Sequence, residues 1–133
     1  MVSNTFLLDL SMKGRGIMAQ RSTQIIFANL TNLTFQRGEI HLDHGIWTEG
    51  ALPPETIPPV KRVHWESESQ GFATGTEGHA RYTSPIGELY IYWDNPYVGS
   101  NDYRVDVPKG YKCDKVGGDG NNATYSVTLY EAE

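Results

Sequence analysis

The sequence predicts an all-β chain, folded as a single-domain antiparallel β-sandwich of about seven or more strands, and three observations carry that prediction. Side chains alternate with a period of two through Leu89–Trp93, Tyr103–Val107 and Tyr125–Leu129, which sets one face of a strand against a core and the other against solvent. The 14 Gly and 7 Pro fall between such runs, while the 8 Tyr and 3 Trp favour strands over helices. Finally, 133 residues fit one domain large enough to bury a core without staples. Short strands with Gly/Pro punctuation favour a sandwich over a closed barrel.

In chain order, residues 1–17 differ from the rest. Met1 and Met12 lie there, with Gly14 and Gly16 shortly before Met18, and no period is visible. They are expected to form a loosely ordered N-terminal extension, with the sandwich domain spanning 18–133 and Met18-Ala19-Gln20 as an alternative start. Strands are expected over 23–30 and 33–42. After Trp47, Pro53-Pro54 and Pro58-Pro59 bound a long connection that is not expected to be helical. Further strands follow over 60–67, 71–83 and 87–94. Asn95-Pro96 ends the last of these, because proline has no amide to give a ladder. Strand 102–108 comes next, then the turn Gly117-Gly118-Asp119-Gly120-Asn121-Asn122 and a final strand over 123–131.

On the strand before the Asn95-Pro96 break, Leu89, Ile91 and Trp93 share the face expected in the core. Asp94 is placed to fix the following turn by accepting loop amides. Tyr97 lies past the break, where burial is hard, and its amphipathic ring suits a lipid–water boundary or a cationic headgroup. Trp47 and Trp65 are open between core and a second exposed anchor.

The run Ser67, Ser69, Ala73-Thr74-Gly75-Thr76, Gly78, followed by Trp93, Asp94, Pro96 and Tyr97, resembles the aegerolysins. Ala73-Thr74-Gly75, Gly78, Pro96-Tyr97 and Ser100-Asn101, before a strand starting at Tyr103, resemble the more distant actinoporins. The stretch Gly118 to Thr124 is similar to the last hairpin of such folds. The resemblance spans roughly Ile25 to Leu129. It implies a compact lipid-binding β-sandwich that docks the loop from Asn95 to Asp102 onto a sphingolipid-type headgroup. The implied contact set is Asp94, Asn95, Pro96, Tyr97, Ser100, Asn101 and Tyr103. It also implies a larger pore-forming protein as partner. The actinoporin pattern departs in two places. Residues 107–117 are too short and Lys/Gly-rich for a tyrosine-bearing helix, and the loop lacks a tyrosine before Ser100, so an aegerolysin-like surface fits better. A carbohydrate-binding lectin is the alternative, since aromatic loops also stack on sugars; a structural or host-interaction role is a third.

Several classes are disfavoured. A net charge of -5 argues against nucleic acid and against purely electrostatic attachment to anionic lipid. The lone Cys113 allows no internal disulfide and no Cys-rich metal site. Phe6-Leu7-Leu8-Asp9-Leu10 is too short for a secretory signal, so the chain is expected to be made soluble, cytoplasmic or non-classically secreted, and to act at membrane surfaces. The sequons at Asn29, Asn32 and Asn122 are read as chance occurrences in an Asn/Thr-rich β protein. His41 and His44, three apart on a strand, are expected to diverge rather than clip a metal; His64 and His79 carry no telling spacing. Glu66, Glu68 and Glu77 read as solvated carboxylates, not a hydrolytic pair. Asp114 and Asp119-Gly120-Asn121-Asn122 read as turn chemistry, not a calcium loop. No enzyme motif, cofactor site or metal site is expected. A helix over about 4–13 would reach only about 15 Å of a hydrocarbon core of roughly 30 Å, so binding without perforation is expected of the chain alone.

Overall fold

A computed structural model describes residues 19–133, which form ten strands and no helix. The expected N-terminal extension and the 4–13 segment lie outside the described residues. The strands are β1 (Ser22–Asn29), β2 (Phe35–His44), β3 (Ile46–Trp47), β4 (Thr56–Ile57), β5 (Lys61–Glu68), β6 (Thr76–Ser84), β7 (Gly87–Asn95), β8 (Asp102–Asp106), β9 (Tyr111–Gly117) and β10 (Asn122–Glu131). They make two five-stranded sheets, ordered β9-β10-β1-β5-β3 and β4-β2-β6-β7-β8. The sandwich is as expected, and antiparallel pairing dominates it. The exception is β10 on β1, which run parallel with Asn122 beside Ser22 and Leu129 beside Asn29.

The period-two pattern does what it promised. Ile25 and Phe27, then Leu89, Ile91 and Trp93, then Tyr125, Val127 and Leu129 all point between the sheets and are buried. The tryptophans meet at the centre. Trp93 lies 6.4 Å from Trp65 and 5.9 Å from Trp47, ring centre to ring centre, so the question left open for Trp47 and Trp65 resolves in favour of packing. Trp47 is partly buried, whereas Trp65 and Trp93 are fully so, and removing either of those two rings would cost about 3–5 kcal/mol.

Besides Glu68, which is buried rather than solvated and accepts the Thr48 hydroxyl at 2.7 Å, three expectations need correction. Residues 71–75 are a loop, and β6 begins only at Thr76. Gly71 and Ala73 take φ of 93° and 57°, outside the strand region. A Cβ on Gly75 would stand 2.5 Å from the Asn95 carbonyl oxygen, so the chain passes too close for any larger residue. Second, the Lys-rich stretch after Val107 contains a real strand, β9, paired with β10 from Tyr111↔Glu131 to Gly117↔Tyr125. It is an edge strand, and its exposed Lys112, Asp114 and Lys115 are the charges that keep an edge from pairing with a second chain. Third, β2 carries a register shift between Leu42 and His44. That shift puts both His41 and His44 opposite outward-facing residues, His79 and Glu77, so the two imidazoles do not diverge to opposite faces as simple alternation requires. Each meets a carboxylate instead: His41 lies 3.2 Å from Asp43 and His44 3.7 Å from Glu77. Among the described residues no group of three or more His, Cys, Asp or Glu side chains is placed to hold a metal ion.

Candidate functional site

At one pole of the sandwich β6, β1 and β10 start and β7 ends, so segments far apart in sequence converge there. Asn95, the last residue of β7, is their common tie. It is buried, and its Nδ2 donates to the carbonyls of Ser22 and Asn121, each at 2.9 Å. Asparagine suits the position because its two N–H groups can serve two carbonyl oxygens at once.

Beyond Asn95 the chain turns through Pro96-Tyr97-Val98-Gly99-Ser100-Asn101. Arg21 holds the start of this loop. Its Nη2 donates to the Tyr97 carbonyl at 2.7 Å, its Nε to the Pro96 carbonyl at 3.3 Å and its Nη1 to the Gln20 carbonyl at 2.8 Å. The same guanidinium lies 4.4 Å from the centre of the Tyr97 ring, a cation–π contact. Asn101 holds the far end, donating to the carbonyls of Gly118 and Gly120 at 2.8 and 2.9 Å. The loop is therefore braced at both ends while Tyr97 remains 36% exposed.

Tyr97 and Pro96 form a ridge between two open clefts. One, of about 230 Å³, is lined by Arg21, Ser100, Asn101, Asp119 and Asn121. The other, of about 360 Å³, is lined by His44, Thr74, Glu77 and Asp94. On the second side the charge is negative. Glu77, Asp94 and Asp102 stand directly opposite one another across β6, β7 and β8. Desolvation first, then the charges of Glu77 and Asp102, raise the Asp94 carboxyl above its ordinary value, with His44 partly offsetting them. Tyr92 donates its hydroxyl to Glu77 on the same face.

The residues expected to make contact thus divide by position. Pro96, Tyr97 and Ser100 border open clefts, and Asp94 borders the acidic one. Asp94 makes no hydrogen bond to the loop amides; its partners are the neighbouring charges. Asn95, Asn101 and Tyr103 are placed as supports. Tyr103 stacks on Tyr125 at 3.9 Å with the rings 8° from parallel, and donates its hydroxyl to the Gly118 carbonyl at 2.7 Å. Burial pushes that phenol up to about 12. Gly118 permits the stack, since a Cβ there would lie 2.6 Å from the Tyr103 ring.

Sequence reasoning missed Arg21 and Gln20. Arg21 reaches its loop partners across 75 and 76 residues, and nothing local marks an arginine at a strand's start as a clamp for a distant loop.

No family model matches the chain. An uncharacterized protein of Dictyostelium discoideum is 30% identical to it over 143 residues, covering 98% of the chain. The chain spans only 13% of that relative's length. Among solved structures, the lipid-binding protein Nakanori superposes with a TM-score of 0.76 at 13% identity, over 86% of this chain and 73% of that one. The RahU protein, solved with a TRIS molecule, gives 0.70 at 13% identity, over 86% and 98%. A lectin of Xerocomus chrysenteron gives 0.50 at 14% identity, over 84% and 99%. At such identities the likeness speaks for the fold alone. In its two sheets and their packing, the chain has the aegerolysin-like β-sandwich fold.

Proposed function

We propose that the Tyr97 pole recognises a zwitterionic, sphingolipid-type headgroup, and that the protein is a non-enzymatic membrane-binding module. One observation carries this reading. The exposed Tyr97 ring separates a cleft flanked by the carboxylates of Glu77 and Asp94 from one in which the Arg21 guanidinium stands with a single carboxylate, Asp119. A headgroup with an ammonium and a phosphate presents the complementary pair of charges, and a tyrosine ring face accommodates the ammonium. The likeness in fold to a protein described as lipid-binding supports the same reading. A sugar is the second reading, because the Arg21 cleft also offers the uncharged polar side chains of Ser100, Asn101 and Asn121. Perforation of a bilayer would then fall to a larger partner protein.

The test is a panel of vesicles differing only in headgroup, run beside a glycan array. Binding to sphingomyelin-containing vesicles, weakened by Tyr97→Ala without loss of fold and with little release of entrapped dye, is the expected result. Binding to glycans and to no vesicle would establish the lectin reading in its place.

A further inference from the structure

We propose that Phe72 and Val98 enter the interfacial layer of a lipid bilayer on either side of the headgroup site, so that the protein docks pole-first by two apolar prongs. This rests on the lipid reading above and adds the contact that orients the molecule.

Phe72 and Val98 are the most exposed large apolar side chains among the described residues, at 85% and 83%. They sit on separate loops, 69–75 and 96–101, that face each other across the acidic cleft: Ala73 and Thr74 line one wall, Pro96 and Tyr97 the other. Neither loop contains a Lys, Arg, Asp or Glu, in a chain of which 20% is charged. An uncharged tip is what lipid contact asks for, since a charge carried to depth is expensive.

Both loops are built to project. Gly71 at φ 93° and Ala73 at φ 57° turn the backbone sharply on either side of Phe72. A positive φ at a residue with a Cβ persists only where its surroundings enforce it. Here Thr74 donates its hydroxyl to the Gln70 and Gly71 carbonyls at 2.7 and 3.0 Å, and the Ala73 amide donates to Gln20 Oε1 at 2.8 Å. Gln20 thus ties the first loop, and its neighbour Arg21 ties the second. The prongs are fixed to one short segment, and so to each other.

A lipid surface suits this arrangement better than a protein. Protein hot spots gather in a central, closely packed cluster, whereas these side chains stand apart with a polar cleft between them. A bilayer interface receives separate prongs and leaves the cleft facing the headgroups. The acidic row of Glu77, Asp94 and Asp102 runs behind the tips and limits insertion to the interface.

The experiment uses vesicles of sphingomyelin and cholesterol. Phe72→Ala and Val98→Ser should each weaken binding by roughly 3- to 30-fold, the loss of part of one buried apolar side chain, with thermal unfolding unchanged. A separate Phe72→Trp variant should shift its emission to the blue on binding and be quenched more by shallow than by deep spin-labelled lipid. If the unmodified protein binds these vesicles, while the Phe72→Ala/Val98→Ser double variant binds equally and the Trp emission does not move, the prongs are refuted and headgroup recognition stands. If the unmodified protein binds no such vesicle, both readings fall together.

Discussion

Replacing Asn95 by Ala separates a support from a contact. The side chain is 1% exposed and satisfies the carbonyls of Ser22 and Asn121 at 2.9 Å each. Removing it deletes two well-formed hydrogen bonds at about 1 kcal/mol apiece, leaves carbonyl oxygens short of a donor and opens a small void, for a total of about 2–4 kcal/mol. In a domain of this size that lowers the melting temperature by roughly 7–14 °C. Asn95→Asp keeps the shape, gives up both donors and sets a carboxylate against those oxygens, so it should cost at least as much. Urea unfolding gives the stability, and vesicle binding at low temperature, normalised to the folded fraction, gives the function. Stability should fall steeply while binding per folded molecule is largely retained. A variant within about 0.5 kcal/mol of the original protein that has lost binding would refute the argument and make Asn95 a ligand contact.

Other perturbations follow the same physics. Tyr97→Ala should leave the melting temperature nearly unchanged, since a partly exposed ring has little packing to lose; a collapse of the fold would show that its contact with Arg21 is structural. Asp94→Asn should stabilise the protein at pH 7 by about 0.2–1 kcal/mol, by relieving the carboxylate row. Because the folded Asp94 carboxyl is raised, the native state binds its proton more tightly, and stability falls as pH rises past the unfolded value of 3.8. The gain from Asp94→Asn should therefore shrink toward zero below that pH in thermal melts, and a gain independent of pH would contradict the electrostatic cause. Gly75→Ala should destabilise by about 1–3 kcal/mol, as its methyl would meet the Asn95 oxygen at 2.5 Å and the Pro96 Cα at 2.7 Å; an unaltered urea midpoint would show that the two backbone segments can move apart.

The sandwich was legible because its signal is local. Leu89, Ile91 and Trp93 need only their own alternation to declare an inward face, and Asn95-Pro96 needs only proline's missing amide to declare an end. What stayed hidden depends on partners distant in sequence. Strand β9 alternates weakly because it is an edge, half of whose residues answer to solvent rather than to the core. The parallel pairing of β10 with β1 leaves no mark on either strand, since the inward face is the same in both directions. The Tyr97 loop could be found from its composition. That Asn95 would be consumed inside it, and that Arg21 would grip it from 76 residues away, could not.

The parallel pairing also bears on how the protein reaches its folded state. Ser22 and Asn122 are neighbours in the sheet but 100 residues apart in sequence. Closing so long a loop costs entropy before the pairing returns anything, which places this contact among the late and slow events of folding. The Tyr97 pole draws on Arg21, Asn95 and Asn121 at once, so it cannot be completed by any nascent fragment that stops short of Asn121. During synthesis the carbonyls of Gly118, Gly120 and Asn121, which Asn101 and Asn95 need as acceptors, are among the last parts of the site to leave the ribosome, so the far end of the Tyr97 loop is fixed later than the end that Arg21 holds.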